Sequence, residues 1–443
     1  MAEVRSFRGL RYNQRVVGDM ARVVSPPYDV IAPEERRRYA DASPYNIVRL
    51  ELPEAQPGDA TGEERYERAA RSLRTWRAEG VLLQEDQPAL YFYEHDFPLG
   101  ERTLTRRHLI ARVRLEDWDR GVVLPHERTM AGPKADRLQL LRACATSVSP
   151  IMALYRTGEP SLADVWEIVR TRPPDVAFSD EEGEHRLWVA LDPDLQRTVS
   201  SRFEDARLYI ADGHHRYETA LRYRDEQRDA RGRVDPEAPF EFTMMVLVEM
   251  GDPGLVILPT HRMVHDLDGS VEAMVASIAP YVTREPLASS PEEALDELPR
   301  LLRALEQAGQ DGTAFGVCGP RPTGFALLRV RDRAAVDRLL PGGRSAAWRS
   351  LDVAVLHGLL LEPLVERGAR LEFTRSARAA VEAVVAGACS AAFLLNPTRV
   401  EQVVAVAEAG DRMPEKSTYF YPKPPTGLVL YPLHEAAPDG HGC

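Results

Sequence analysis

The chain has 443 residues, too many for one ordinary hydrophobic core, so two or three domains are expected. Hydrophobic residues make up 44% and charged residues 28%, the balance of a soluble globular protein, and the formal net charge of −12 excludes a general electrostatic attraction to nucleic acid or anionic membrane. The four cysteines, Cys144, Cys318, Cys389 and Cys443, form no CxxC pair and read as reduced thiols, neither a disulfide frame nor a zinc knuckle. The N-terminal stretch MAEVRSFRGLRYN has no signal-peptide apolar region and no uncharged run reaches membrane-spanning length, so a cytoplasmic protein without membrane partners is expected.

Residues 1–102 are read as a loop-rich extension. SPPYDVI from Ser25 and SPYNIVRLELP from Ser43 are turn-rich, and the paired prolines predict a rigid ordered turn. From Glu63 to Glu79, Tyr66, Ala69, Ala70, Leu73 and Trp76 fall on one face of a predicted helix. Residues 88–97 and 102–116 alternate or run apolar around a PLG turn and predict a hairpin, with His95 and His108 as pairing residues within it. Residues 103–265 are read as the core. It contains a strand and polar loop at 122–133, a helix from about Lys134, a strand near 150–155, a helix near 162–170, a hairpin around 185–190, a strand at 206–211, a helix at 216–228 and strands at 242–250 and 255–259, closed by THRMVH at 260–265. Residues 266–435 alternate helices (271–280, 291–307, 376–386, 399–408) with strands (313–317, 325–330, 391–395) and predict a second α/β or α+β unit, while 436–443 is expected to be a disordered tail. The fold class is therefore mixed α/β.

Three polar clusters sit beside turns at the ends of apolar runs, where sites in α/β proteins are built. In PHERTMAGPKADR, Pro125–Arg137, a carboxylate at Glu127 suits removal of a hydroxyl proton, and Lys134 and Arg137 suit neutralisation of phosphate charge. In DGHHR, Asp212–Arg216, a strand turns into a helix. Gly213 permits close backbone approach, the helix start supplies amides, Arg216 suits a phosphate oxygen, and Asp212 suits a divalent cation. The same pentapeptide also reads as an ordinary capped helix start. His214 and His215 point about 100° apart on a helix and are poor joint ligands for one zinc ion. In MPEKSTYFYPKPPTG, Met413–Gly427, Lys416, Ser417 and Thr418 offer a cation and two hydroxyls for a phosphate or a substrate carboxylate.

DGHHR between an apolar strand and a helix resembles the phosphate-binding motif of the ParB/sulfiredoxin-like superfamily, and within it the free serine kinases. Those enzymes pair a PHE motif with a later DGHHR and a C-terminal PKTT-like motif; here Pro125-His126-Glu127, Asp212–Arg216 and Glu415-Lys416-Ser417-Thr418 stand in the same order. The resemblance implies a ParB/sulfiredoxin-like nucleotide-binding core and a kinase that uses ATP or ADP with Mg2+ to make O-phosphoserine from free L-serine. It assigns catalysis to Glu127, Asp212, His215 and Arg216, with Glu127 as base and Asp212 on magnesium. Phosphate binding falls to Gly213, His214, Lys134 and Arg137, and substrate binding to Lys416, Ser417 and Thr418. The interval between PHE and DGHHR is longer than in those kinases. Residues 1–102 have no counterpart there and are read as a lid, the surface of a homodimer or a separate substrate pocket. The whole chain, with SPPYDV, SPYN, LPHE, ADGHHRYETA and PEKSTYFYPK, also resembles a large bacterial family known as a domain of unknown function. Two other functions fit the motifs: a ParB-type nucleotide switch acting on a protein partner, and a metal-dependent hydrolase using His126, His214, His215 and Asp212.

Overall fold

The computed structural model describes residues 1–156, 158, 161–232 and 235–434, so the predicted tail at 436–443 lies outside the described residues. The fold is mixed α/β, as expected, and divides into two units. The first takes residues 1–125, 129–256 and the chain from Pro422; the second takes 126–128 and 257–421.

The first unit is built on a sheet that includes nine strands among the described residues. Its order is Val123–Leu124, Leu208–Asp212, Ile151–Tyr155, Phe242–Glu249, Arg102–Arg114, Leu90–Leu99, Gly183–Ala190 and Val176–Asp180, with Val4–Arg5 pairing beside Arg102–Arg114. The predicted hairpin is present as Leu90–Leu99 against Arg102–Arg114. Alternate residues of these strands enter different cores. Leu90 and Phe92 join Trp166, Leu208 and Ile210 in one, while Tyr91 and Tyr93 join Trp76, Leu138 and Val246 in the other. Both faces of the sheet are thus covered, which is why its strands read as nearly continuous apolar runs.

The predicted amphipathic helix spans Glu64–Ala78 and buries all five predicted core residues. It packs on the helix Ala131–Cys144, which in turn packs on His214–Arg231. Isolated bridges tie the first residues to other parts of the unit: Phe7 pairs with Ala89 and Leu10 with Leu430. The sequence division at 102 follows a turn that the structure places inside a hairpin, between two strands of one sheet.

The second unit is an antiparallel sheet in the order Val282–Ala288, Gly324–Val330, Ala314–Gly319, Ala391–Leu395, His261–His265 and Arg370–Thr374. Two expectations are corrected here. THRMVH does not close the core; its His261–His265 strand pairs on both sides within the second sheet. The helix predicted over 291–307 is two, Pro291–Asp296 and Leu298–Asp311, with Pro299 starting the second because proline has no N–H to continue the first. Similarly, the helix predicted from Lys134 begins earlier, at Ala131. No helix among the described residues is long and apolar enough to cross a membrane, and Cys144, Cys318 and Cys389 are buried free thiols.

Burial on both faces forces polar groups of the hairpin to find partners inside. Tyr93 Oη lies 2.7 Å from His185 Nδ1, and His185 Nε2 lies 2.9 Å from Asp180 Oδ1. Arg106 Nε donates to His108 Nε2 at 2.8 Å, and the His95 and His185 rings stack at 4.2 Å. His95 and His108 are buried pairing residues, as the sequence implied. Burial, reinforced by His185 and Arg106, pushes His95 down to about 3. The unfolded chain, with an ordinary histidine near 6.5, therefore takes up a proton in acid that the folded chain refuses. This contribution to stability is whole above about pH 6.5 and is lost as the pH falls toward 3. His95→Gln is expected to flatten the loss of stability between pH 6.5 and 5 by on the order of 1 kcal/mol per pH unit, measured by urea unfolding; identical slopes for the two proteins would contradict it.

Candidate functional site

The strand Leu208–Asp212 breaks register with Ile151–Tyr155 between Ile210 and Asp212, so that Ala211 is bulged and Asp212 pairs with Met152 at the strand's end. Gly213 follows with φ +94°, a left-handed conformation that starts the helix His214–Arg231 without any side-chain cap. A Cβ on Gly213 would stand 2.9 Å from Arg216 Nε, so glycine both makes the turn and clears the guanidinium. The helix itself is held by Arg224, which donates to Leu115 O at 3.0 Å, and by Tyr217 Oη, which donates to Glu116 O at 2.8 Å.

Asp212 is enclosed by cations. Arg216 Nη2 pairs with its Oδ2, and Lys423 Nζ lies 2.6 Å from its Oδ1. Burial alone pushes the Asp212 carboxyl up, but Lys423 and Arg216 overcome it and hold the group far below the usual carboxylate range. Lys423 also pairs with Asp29. Arg216 Nη1 donates to Pro150 O, whereas its buried Nε has no partner. Beside this cluster Arg137 donates to Glu51 O at 2.7 Å and sits 4.2 Å over the Tyr28 ring. Burial raises the Glu51 carboxyl against the opposing pull of Arg137 and Arg216. Glu51, Arg137, Ser149 and Arg216 line a cavity of about 50 Å3 together with apolar residues, among them Leu140, Ile151, Ala220 and Phe240, and several hydroxyl side chains.

Other expected residues belong to the same unit. Lys134 Nζ donates to Glu218 Oε2 at 2.8 Å, and Thr129 donates to the same oxygen at 2.7 Å. His215 Nε2 accepts from the Met130 amide at 2.9 Å, which places its ring proton on Nδ1. Burial lowers its pKa despite Glu218. His214 is buried.

In the second unit the first and third motifs meet although nearly three hundred residues separate them. Thr418 Oγ1 donates to Glu127 Oε1 at 3.2 Å and lies 3.0 Å from His126 Nε2, and the Met413 amide donates to His126 O at 2.8 Å. Lys416 adopts φ +55°, and its carbonyl accepts from the buried Arg262 at 3.0 Å. Ser417 donates to Pro414 O at 2.6 Å, closing a local turn.

Three differences from the sequence reading follow. Lys423, left unassigned by the sequence reading although it lies within the third cluster, is the lysine at Asp212. Both oxygens of Asp212 accept from cations, so its surroundings do not fit a directly bound magnesium ion. Among the described residues no group of three or more His, Cys, Asp or Glu side chains is placed to hold a metal. Tyr28 and Asp29, in the turn after Pro26-Pro27, and Glu51, at the end of the short helix Val48–Glu51, went unassigned because isolated residues carry no periodic signal.

Gly213→Ala puts an L side chain at φ +94° and its Cβ against Arg216. A destabilisation of about 1–2 kcal/mol is expected in chemical denaturation; stability equal to the parent would show that the turn relaxes freely.

No curated protein matches the chain. Among solved structures it is similar to a conserved hypothetical protein from Pyrococcus furiosus, with 12% identity and a TM-score of 0.35 over 72% of this chain and 93% of that one. A mutant free serine kinase in complex with ADP aligns with 13% identity and a TM-score of 0.37, over 74% of this chain and 90% of its own. SbnI from Staphylococcus aureus, truncated at its C-terminus, aligns with 10% identity and a TM-score of 0.33, over 73% and 87%. The sequence profile of the family described as protein of unknown function, DUF1015, matches residues 4–354, and the chain belongs to that family.

Proposed function

We propose that this protein is a phosphotransferase that moves a phosphoryl group from ATP or ADP to the hydroxyl of a small molecule, with free L-serine as acceptor and O-phosphoserine as product. The observation that carries the proposal is the buried pairing of Arg216 and Lys423 around Asp212 at a strand-to-helix turn. Two preorganised cations beside uncapped helix amides are the equipment that phosphate recognition needs. Preorganisation matters because in phosphoryl transfer the protein contributes chiefly positioning and charge compensation.

Arg216 is assigned to the transferring charge, and the amides after Gly213, with His214, to the donor phosphates. Lys134 and Arg137 add positive charge around them. His215, which fixes the Met130 amide, is a positioning residue. Glu127 is assigned as base: it takes the proton of the acceptor hydroxyl, whose oxygen bonds to phosphorus as the bond from phosphorus to the leaving nucleotide oxygen breaks. Its hydrogen bond from Thr418 supports that role by fixing the carboxylate. Lys416, Ser417 and Thr418 are assigned to the acceptor. Magnesium enters with the nucleotide phosphates as part of the substrate and neutralises their charge.

The test is incubation of the purified protein with ATP or ADP, magnesium and serine, threonine or homoserine, followed by mass spectrometry for the phosphorylated amino acid. Serine is expected to give product, and Glu127→Gln is expected to lower turnover by about 10^2–10^4-fold. Unchanged turnover in that variant would remove Glu127 as base, and no product with any pairing would remove the phosphotransferase assignment.

A further inference from the structure

The cation that completes the Asp212 cluster is shared with a second carboxylate from a distant part of the chain. Lys423 is 8% exposed and pairs with both Asp212 and Asp29. Asp212 is fixed at a strand end and only 17% exposed, whereas Asp29 is 38% exposed in the short turn Tyr28–Val30. Two stiff arms bring them together. Ser25 and Thr426 exchange backbone hydrogen bonds, Ser25 N to Thr426 O at 3.2 Å and Thr426 N to Ser25 O at 2.8 Å. From that bridge Pro26-Pro27 leads to Asp29 on one side, and Pro425-Pro424 leads to Lys423 on the other. Prolines lock the backbone of both arms.

The charges of this group nearly cancel. Asp29 and Asp212 oppose Lys423 and Arg216, so a phosphate arriving there would meet a neutral cluster. Binding an anion strongly in a buried place requires net positive charge, so one carboxylate must leave. Asp29 is the one that can turn to water.

We infer that Asp29 is an internal stand-in for the ligand: its carboxylate occupies the place on Lys423 that an incoming nucleotide phosphate takes, and binding exchanges one for the other. Lys423 is thereby a phosphate-contact residue, and Asp29 sets the threshold of affinity and selects for ligands carrying more negative charge than a carboxylate. This rests on the assignment of the Asp212 cluster to donor phosphates.

The experiment is isothermal titration of the full chain with ADP and with pyrophosphate, each with magnesium and with a chelator in its place. Asp29→Asn is expected to bind both ligands about 5- to 10-fold more tightly than the parent, because it removes the competing charge, and Lys423→Gln about tenfold or more weakly. The gain for Asp29→Asn should persist without magnesium. Weaker binding by Asp29→Asn would make Asp29 a ligand-holding residue and overturn the exchange. Equal affinities for parent and variants would overturn it while leaving the donor-site assignment standing. Binding by Asp29→Asn where the parent shows none would support it in its strongest form, and no binding by either would remove both. Should Lys423→Gln fail to fold, the sign of the Asp29→Asn change decides alone, because Asp29 is the more exposed partner.

Discussion

A buried lysine ties together parts of the first unit that lie far apart in the sequence. Desolvating an ammonium group is so unfavourable that the chain must surround it with carboxylates, and a carboxylate placed there needs its own cations. Lys423 meets that demand by joining three segments far apart in sequence: the proline-rich loop at 25–29, the bulged strand end at Asp212, and its own arm leading to Thr426. Burial alone would drive Lys423 to the neutral form, and the two aspartates reverse that and hold its proton firmly. Once those partners are set, the placement of Arg216 follows, since Asp212 has a second oxygen to satisfy.

The wide sheet beneath supplies the rigidity that such a charged cluster needs. Because both of its faces are covered, hydrogen-bonding side chains that fall inside it must be matched pairwise, as in the run from Asp180 through His185 to Tyr93. Arg106 shows the same constraint: it is fully buried, burial lowers it to about 10, and it is satisfied by His108 and the Pro422 carbonyl, one residue before Lys423. The inner hydrogen bonds of the hairpin thus reach the arm that presents the lysine.

Elements with a strong period were legible from the sequence. The five residues of the 64–78 face, the hairpin around Gly100 and the strand-turn-helix at DGHHR appear where apolar spacing placed them, because hydrophobic periodicity is a local property. What escaped was set by distance. Nothing local distinguishes Lys423 from Lys416, since both lie in polar, turn-rich context; only the pairing of Thr426 with Ser25 selects the former. The division at 102 failed to register that a hairpin turn and a domain boundary share the same composition. The hydrogen bond from Thr418 to Glu127 likewise joins residues far apart in the chain, and no local pattern specifies it.

The first unit is discontinuous, interrupted by residues 257–421 before its last segment returns at Pro422. During synthesis, Asp29, Asp212 and Arg216 all emerge well before the lysine that balances them. A nascent chain can form most of the sheet while this corner carries unmatched acidic groups, and they are relieved only when the chain has been made past residue 423. A chain that ended inside the second unit would retain DGHHR yet lack Lys423, and with it the charge balance around Asp212.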